Sequence, residues 1–228
     1  MNQENDMFPS GDEQEISPQQ HVEDATGNSS RTRLYLIRHG ELTTSHEWRY
    51  VGHMDVELND NGVSQIRRLA QRLKTEKIDK IYSSDLKRTA QSAAIIGETA
   101  DLAVDTCPEF REIKLGVWEG LTLKEIVDGF AEEFERRSKD LSGFRVEGGE
   151  SFKDVQNRAV PRLMSCVKEN MGRNILIVAH GGVNRVILCH ALGLDLGNLV
   201  KIDQTYACLN IIDFFQDGPV VRLVNATF

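Results

Sequence analysis

Several things that would place this chain in a large class are scarce or missing. Its 228 residues contain four cysteines, Cys107, Cys166, Cys189 and Cys208, widely spaced and with no CxxC pair. A disulfide-stapled scaffold is excluded, and four small buried hydrophobes in a reduced, cytoplasmic setting are expected. Long apolar runs are missing too. The longest, Ile175–Ala179, falls far short of the roughly 20 residues of a membrane span. There is no excess of positive charge, since the formal net charge is −8. No GxGxxG opens a helix, no GxxxxGKS/T loop occurs, and no HExxH or other carboxylate–histidine metal motif appears. Nucleotide cofactors therefore have no sequence support, and no cofactor or metal is expected.

The negative charge is localised. Residues 1–30 carry Glu4, Asp6, Asp12, Glu13, Glu15, Glu23 and Asp24 with no Lys or Arg. The rest holds all 27 basic residues against the remaining 28 acidic ones, close to neutral at −1. A near-neutral body gives no general attraction to nucleic acid or an anionic membrane, so neither is an expected partner, and an anion site must be a local cluster. Residues 1–30, rich in Gln, Asn, Ser and Pro, read as an acidic disordered tail. They lack the basic and apolar regions of a secretory signal. Residues 31–228 are the expected folded domain, with 40% hydrophobic residues over the whole chain to supply its core.

Leu34–Ile37 reads as a strand buried on both faces. Asn59-Asp60-Asn61-Gly62 opens a helix bearing Val63, Ile66, Leu69, Ala70 and Leu73 at helical spacing. Ile78–Tyr82 is a second strand. Ser83-Ser84-Asp85 is expected to cap a helix over residues 86–98, its apolar face formed by Leu86, Ala90, Ala93, Ala94 and Ile96. Residues 103–106 form a weaker strand and 109–121 a structured loop. Thr122-x-x-Glu125 is a capping box opening a helix toward Arg137, and Ser151 caps one reaching about Met171, which Pro161 should kink or divide. Ile175–Ala179 is the clearest strand, followed by a helix from Val183. Residues 206–214 and 220–225 are strands about a Gln216-Asp217-Gly218-Pro219 turn. The alternation predicts an α/β fold, a three-layer α/β/α sandwich whose mostly parallel central sheet has an antiparallel C-terminal edge.

Ligands in such sheets sit beyond the carboxyl ends of the strands. The first strand delivers Arg38-His39-Gly40-Glu41. The second delivers Ser83-Ser84-Asp85 and, a turn later, Arg88. The clearest delivers His180-Gly181-Gly182 at a helix start. Two guanidinium groups, two imidazoles and the free N–H groups of a helix N-terminus make the local positive cluster that a phosphate dianion requires.

The residues Leu34-Tyr35-Leu36-Ile37-Arg38-His39-Gly40-Glu41 resemble the signature of the histidine phosphatase superfamily, also called the phosphoglycerate mutase-like family. Other segments fit in order: Gly52-x-x-Asp55-x-x-Leu58 with Gly62, Tyr82-Ser83-Ser84-Asp85-Leu86-x-Arg88-Thr89-x-Gln91, Arg111-Glu112-x-x-x-Gly116-x-Trp118-Glu119-Gly120, Gly148-Gly149-Glu150-Ser151 and Val178-Ala179-His180-Gly181-Gly182. The resemblance implies a metal-independent phosphomonoesterase for a small-molecule phosphomonoester. His39 would be the nucleophile that becomes phosphorylated. Arg38, Arg88 and His180 would clamp the phosphoryl oxygens. Glu112 would be the general acid, although Glu109 and Glu119 share its loop. Ser45 stands where the family often has a phosphate-binding Asn, and Gly181 is a further substrate-contact candidate. Leu42 and Val51 also depart from the usual pattern, and Glu41 reads as supporting its loop.

The stretch Arg49-Tyr50-Val51-Gly52-His53-x-Asp55-Val56 is similar to the α-ribazole-5′-phosphate phosphatases. Mutase-type phosphoryl transfer is an alternative, as is a phosphate-binding module without turnover. A metal hydrolase is a third reading, because His39, His46 and His53 recur every seven residues. Trp48 and Trp118 either line the pocket entrance or pack, and residues 121–144 are the expected lid that selects the leaving group. Oligomeric state is left open.

Overall fold

Alternation along the first strand organises the fold. A computed structural model describes residues 31–228, so the tail expected over residues 1–30 lies outside the described residues. Strand β1 (Thr32–Arg38) turns Leu34 and Leu36 to one side of the sheet and Tyr35 and Ile37 to the other, as the two-residue period of a strand requires. Leu34 and Leu36 pack with helices α5 (Phe152–Glu169) and α6 (Gly181–Leu192). Tyr35 and Ile37 pack with α1 (Asp60–Leu73) and α2 (Lys87–Ala100). Each fully buried Leu on this strand contributes about 2 kcal/mol. The three-layer α/β/α sandwich is therefore the observed architecture.

The other strands are β2 (Lys80–Ser83), β3 (Val104–Thr106), β4 (Asn174–Ala179), β5 (Leu209–Phe215) and β6 (Gly218–Ala226), and α3 (Leu123–Gly129) and α4 (Ala131–Lys139) complete the helices. The sheet order is β3-β2-β4-β1-β5-β6. The contacts β1–β4, β2–β4 and β2–β3 are parallel, and β1–β5 and β5–β6 antiparallel. The helix after β1 lies on one face and the helix after β4 on the other. Their chains diverge between the neighbouring carboxyl ends of β1 and β4, which is where such sheets form a crevice.

Local chemistry sets most boundaries. Asn59 accepts from Gly62 N at 2.7 Å and starts α1. Thr122–Glu125 and Ser151–Asp154 form reciprocal capping boxes. Five expectations need correction. Ser83-Ser84-Asp85 does not cap α2: Leu86 flanks it without a side-chain cap, because Ser84 and Asp85 are engaged elsewhere. Ala90 and Ala94 are exposed, and the inner face of α2 carries Arg88, Thr89 and Ser92 beside Ala93 and Ile96, since the start of this helix faces polar partners rather than core. The helix toward Arg137 is two helices that meet at Phe130, whose ring docks on the core and turns the chain. Helix α5 runs undivided through Pro161, and α6 begins at Gly181 rather than Val183. All four cysteines are free and buried.

Candidate active site

His39 follows β1 and is 3% exposed. Its Nδ1–H donates to the Gly40 carbonyl at 2.8 Å. That bond leaves the Nε2 lone pair free. Burial, and then the positive charges of Arg88 and Arg38, hold its pKa well below the usual histidine value, so the ring is neutral.

His180, the residue before α6, stands behind it with ring centroids 5.3 Å apart. Its Nδ1 accepts from Arg88 Nε at 3.1 Å, and its Nε2 lies 2.8 Å from Ser84 Oγ. Burial and the Arg88 charge keep it neutral as well. Arg88, 1% exposed, also donates to the Gly52 carbonyl at 2.6 Å and the Met54 carbonyl at 2.9 Å. The loop bearing those carbonyls is held in turn by Glu119, which accepts from the backbone N–H groups of Gly52, His53 and Met54. A guanidinium fork is thus fixed before any anion arrives.

Beside His39 opens a cavity of about 340 Å³. Arg38, His39, Ser45, Glu112 and Gly181 line it; Arg88 and His180 do not. Arg38 lies 4.0 Å over the Tyr206 ring and donates to the Gln204 carbonyl, while its buried Nε has no hydrogen-bond partner. A buried donor aimed at no acceptor is expected where an anion is to be received. Of the three candidate acids, Glu112 reaches the cavity. Its carboxylate accepts from Ile113 N at 2.9 Å and Gly182 N at 3.0 Å. A Cβ on Gly182 would collide with Glu112 Oε1, so the glycine permits this close approach. Glu119 is consumed by its loop, and Glu109 is exposed.

Two expected roles look different in three dimensions. Ser45 lines the cavity, but its hydroxyl donates to Glu41 Oε1 at 2.5 Å. Glu41 also accepts from Asn59 and Asn61, which confirms it as a loop support. Both nitrogens of His180 are engaged, one by Arg88 and the other by Ser84. His46 contacts the Thr43 carbonyl and His53 the Glu112 carbonyl, and residues 39–59 form no helix on which the three could share a face. Trp48 lines the cavity and is 66% exposed, whereas Trp118 is buried in the core. From the expected lid, Arg137 alone among the described residues reaches the cavity wall. Sequence reasoning missed Tyr206, Arg185 and Arg137. Arg185 carried a signal, being one helical turn beyond Gly181; the other two carried none.

The sequence matches the histidine phosphatase superfamily (branch 1) over residues 34–227. It is 32% identical over 195 residues to phosphoserine phosphatase 1 of Hydrogenobacter thermophilus, covering 86% of this chain and 92% of that one. It is 37% identical over 155 residues to phosphoglycerate mutase-like protein 4 of Arabidopsis thaliana, covering 67% of each. Among solved structures, the α-ribazole phosphatase of Shigella flexneri superposes with a TM-score of 0.78 at 27% identity, covering 85% of this chain and 96% of that one. The chain belongs to the histidine phosphatase superfamily. It is a phosphatase-class enzyme. No helix among the described residues is long and apolar enough to cross a membrane.

Proposed function

We propose that this protein hydrolyses a small phosphomonoester through a phosphohistidine at His39. The observation that carries the reading is the neutral, buried His39 whose Nδ1–H is spent on the Gly40 carbonyl, which leaves Nε2 as the nucleophile. Nε2 attacks phosphorus and the P–O bond to the leaving group breaks. Arg38 and Arg88 stabilise the charge on the equatorial oxygens, with His180 holding Arg88 in place. The Glu112 carboxyl gives its proton to the leaving oxygen. Its carboxylate then takes a proton from water, which attacks phosphorus; the P–N bond breaks and His39 returns neutral. The cationic side chains serve the charge-stabilising role that a metal ion serves elsewhere, so activity in excess EDTA is expected.

The resemblance over residues 49–56 and the α-ribazole phosphatase fold put α-ribazole 5′-phosphate on the substrate panel, with phosphoserine, phosphoglycerates and sugar phosphates beside it. The test is rapid-quench labelling with a ³²P phosphomonoester in excess EDTA, together with phosphate release from p-nitrophenyl phosphate. Acid-labile label on His39 and a loss of at least roughly 1,000-fold in His39→Ala are expected. Turnover by wild type no faster than by His39→Ala across the panel would establish a binding module instead. Transfer to a phosphoglycerate hydroxyl in preference to water would establish the mutase alternative.

A further inference from the structure

The cations around the cavity are not equivalent. Arg38 donates to the Gln204 carbonyl. Arg49 donates to the Gly120 carbonyl and pairs with Glu47 and Glu125. Arg185 donates to the Ile202 carbonyl and stands 4.0 Å from Asp203. Arg137, on α4, lines the same cavity; its neighbours among the described residues are aromatic rings, Tyr50 included, and no hydrogen bond or carboxylate meets it. Its guanidinium carbon lies 5.7 Å from the centroids of both the Trp118 and Phe152 rings. Two aromatic faces hold it in place but do not satisfy its five donors. Burial depresses its pKa, opposed by the neighbouring Tyr50, so its charge is taken partly out of water.

Its position is specific. Phe152 walls the cavity and abuts the start of α6: a Cβ on Gly182 would stand 3.2 Å from that ring. Gly182 N is the donor that holds Glu112. Along this wall the order is therefore Glu112, Gly182, Phe152, Arg137. A leaving group protonated by Glu112 has the rest of its body beside Phe152 and within reach of Arg137.

We propose that Arg137 receives a second anionic group on the alcohol portion of the substrate, so that the preferred substrate is a small phosphomonoester whose leaving group bears a carboxylate or a second phosphate. This rests on the phosphomonoesterase reading and narrows it. α-Ribazole 5′-phosphate, whose alcohol portion is uncharged, is disfavoured.

The experiment measures kcat/KM for matched pairs on wild type, Arg137→Met and Arg137→Lys. O-phosphoserine against O-phosphoethanolamine and 4-carboxyphenyl phosphate against phenyl phosphate test the carboxylate. Propane-1,3-diol bisphosphate against 3-hydroxypropyl phosphate tests the second phosphate. Wild type is expected to favour the more anionic member of at least one pair by about 10-fold or more. Arg137→Met should collapse that ratio toward one, and Arg137→Lys should restore part of it. Absence of preference in every pair would overturn the proposal, as would equal losses on both members of a pair in Arg137→Met. The phosphomonoesterase reading is judged separately, by p-nitrophenyl phosphate turnover against His39→Ala. Wild-type activity there without any anion preference removes this inference alone.

Discussion

The inner and outer ends of the cavity are built by different rules. At the inner end, His39 stands in the cavity wall with Arg88 of α2 and His180 behind it, and almost every polar atom of these three has a partner before substrate arrives. Arg88 spends donors on Gly52, Met54 and His180, and His39 spends one nitrogen on Gly40. The outer end is made of the loop around Trp48, the segment around Val200, and α4. Trp48 is 66% and Val200 65% exposed, and Arg137 meets aromatic rings but no carboxylate among the described residues. Transition-state charge is best met by dipoles and charges that need not reorganise, so the end proposed to do the chemistry is the one tied down. The end proposed to meet the leaving group is more exposed and carries fewer polar contacts, which suits a part that selects substrates.

The largest expected effect comes from breaking the inner end. Arg88→Ala should lower kcat/KM roughly 10²–10³-fold. It also leaves the Gly52 and Met54 carbonyls and His180 Nδ1 without their donor, and should cost about 2–4 kcal/mol in urea denaturation. A loss under 10-fold in kcat/KM would erase the contrast between the two ends.

Gly182→Ala sharpens the comparison at the boundary. The added methyl displaces the Glu112 carboxylate while leaving the clamp intact. We expect kcat to fall roughly 10–100-fold with KM little changed, at a stability cost of about 1–3 kcal/mol. Unchanged kcat would remove Glu112 from proton transfer.

The smallest effect is the pH response. The pKa of His39 is depressed in the folded protein, so kcat should hold its plateau below pH 6.5, where an ordinary imidazole would already be half protonated. The same depression at His39 and His180 makes stability pH-dependent. Above the unfolded value of about 6.5 their stabilising contribution is complete. As pH falls below 6.5, the unfolded chain takes up protons that the folded protein refuses, and the urea midpoint should drop. A midpoint constant from pH 7.5 to 5 would contradict the neutral, buried assignment of both rings.

Much of the inner end was legible in the sequence because it follows from adjacency. Arg38 and His39 come directly after a buried apolar run, and His180 directly after another. The capping boxes at Thr122 and Ser151 are local hydrogen-bond patterns and appear where expected. The inner face of α2 was misread because apolar spacing does not register a helix that buries Arg88, Thr89 and Ser92. The choice among Glu109, Glu112 and Glu119 was open in the sequence for a similar reason. Three carboxylates in one loop are distinguished only by which backbone donors each one meets.

The sequence by itself determined which segments become strands and helices and which side chains leave the strand ends, because two-residue and 3.6-residue periods and caps act over a few neighbours. Only the tertiary structure decided that Gly182 N meets Glu112 across 70 residues, that Arg88 meets His180 across 92, and that Arg137 meets aromatic rings and no carboxylate among the described residues. Such pairings depend on the order β3-β2-β4-β1-β5-β6 and on which helix covers which face. That order is selected by burying both faces of the central strands β2, β4 and β1 at once, a condition that no local stretch of chain contains.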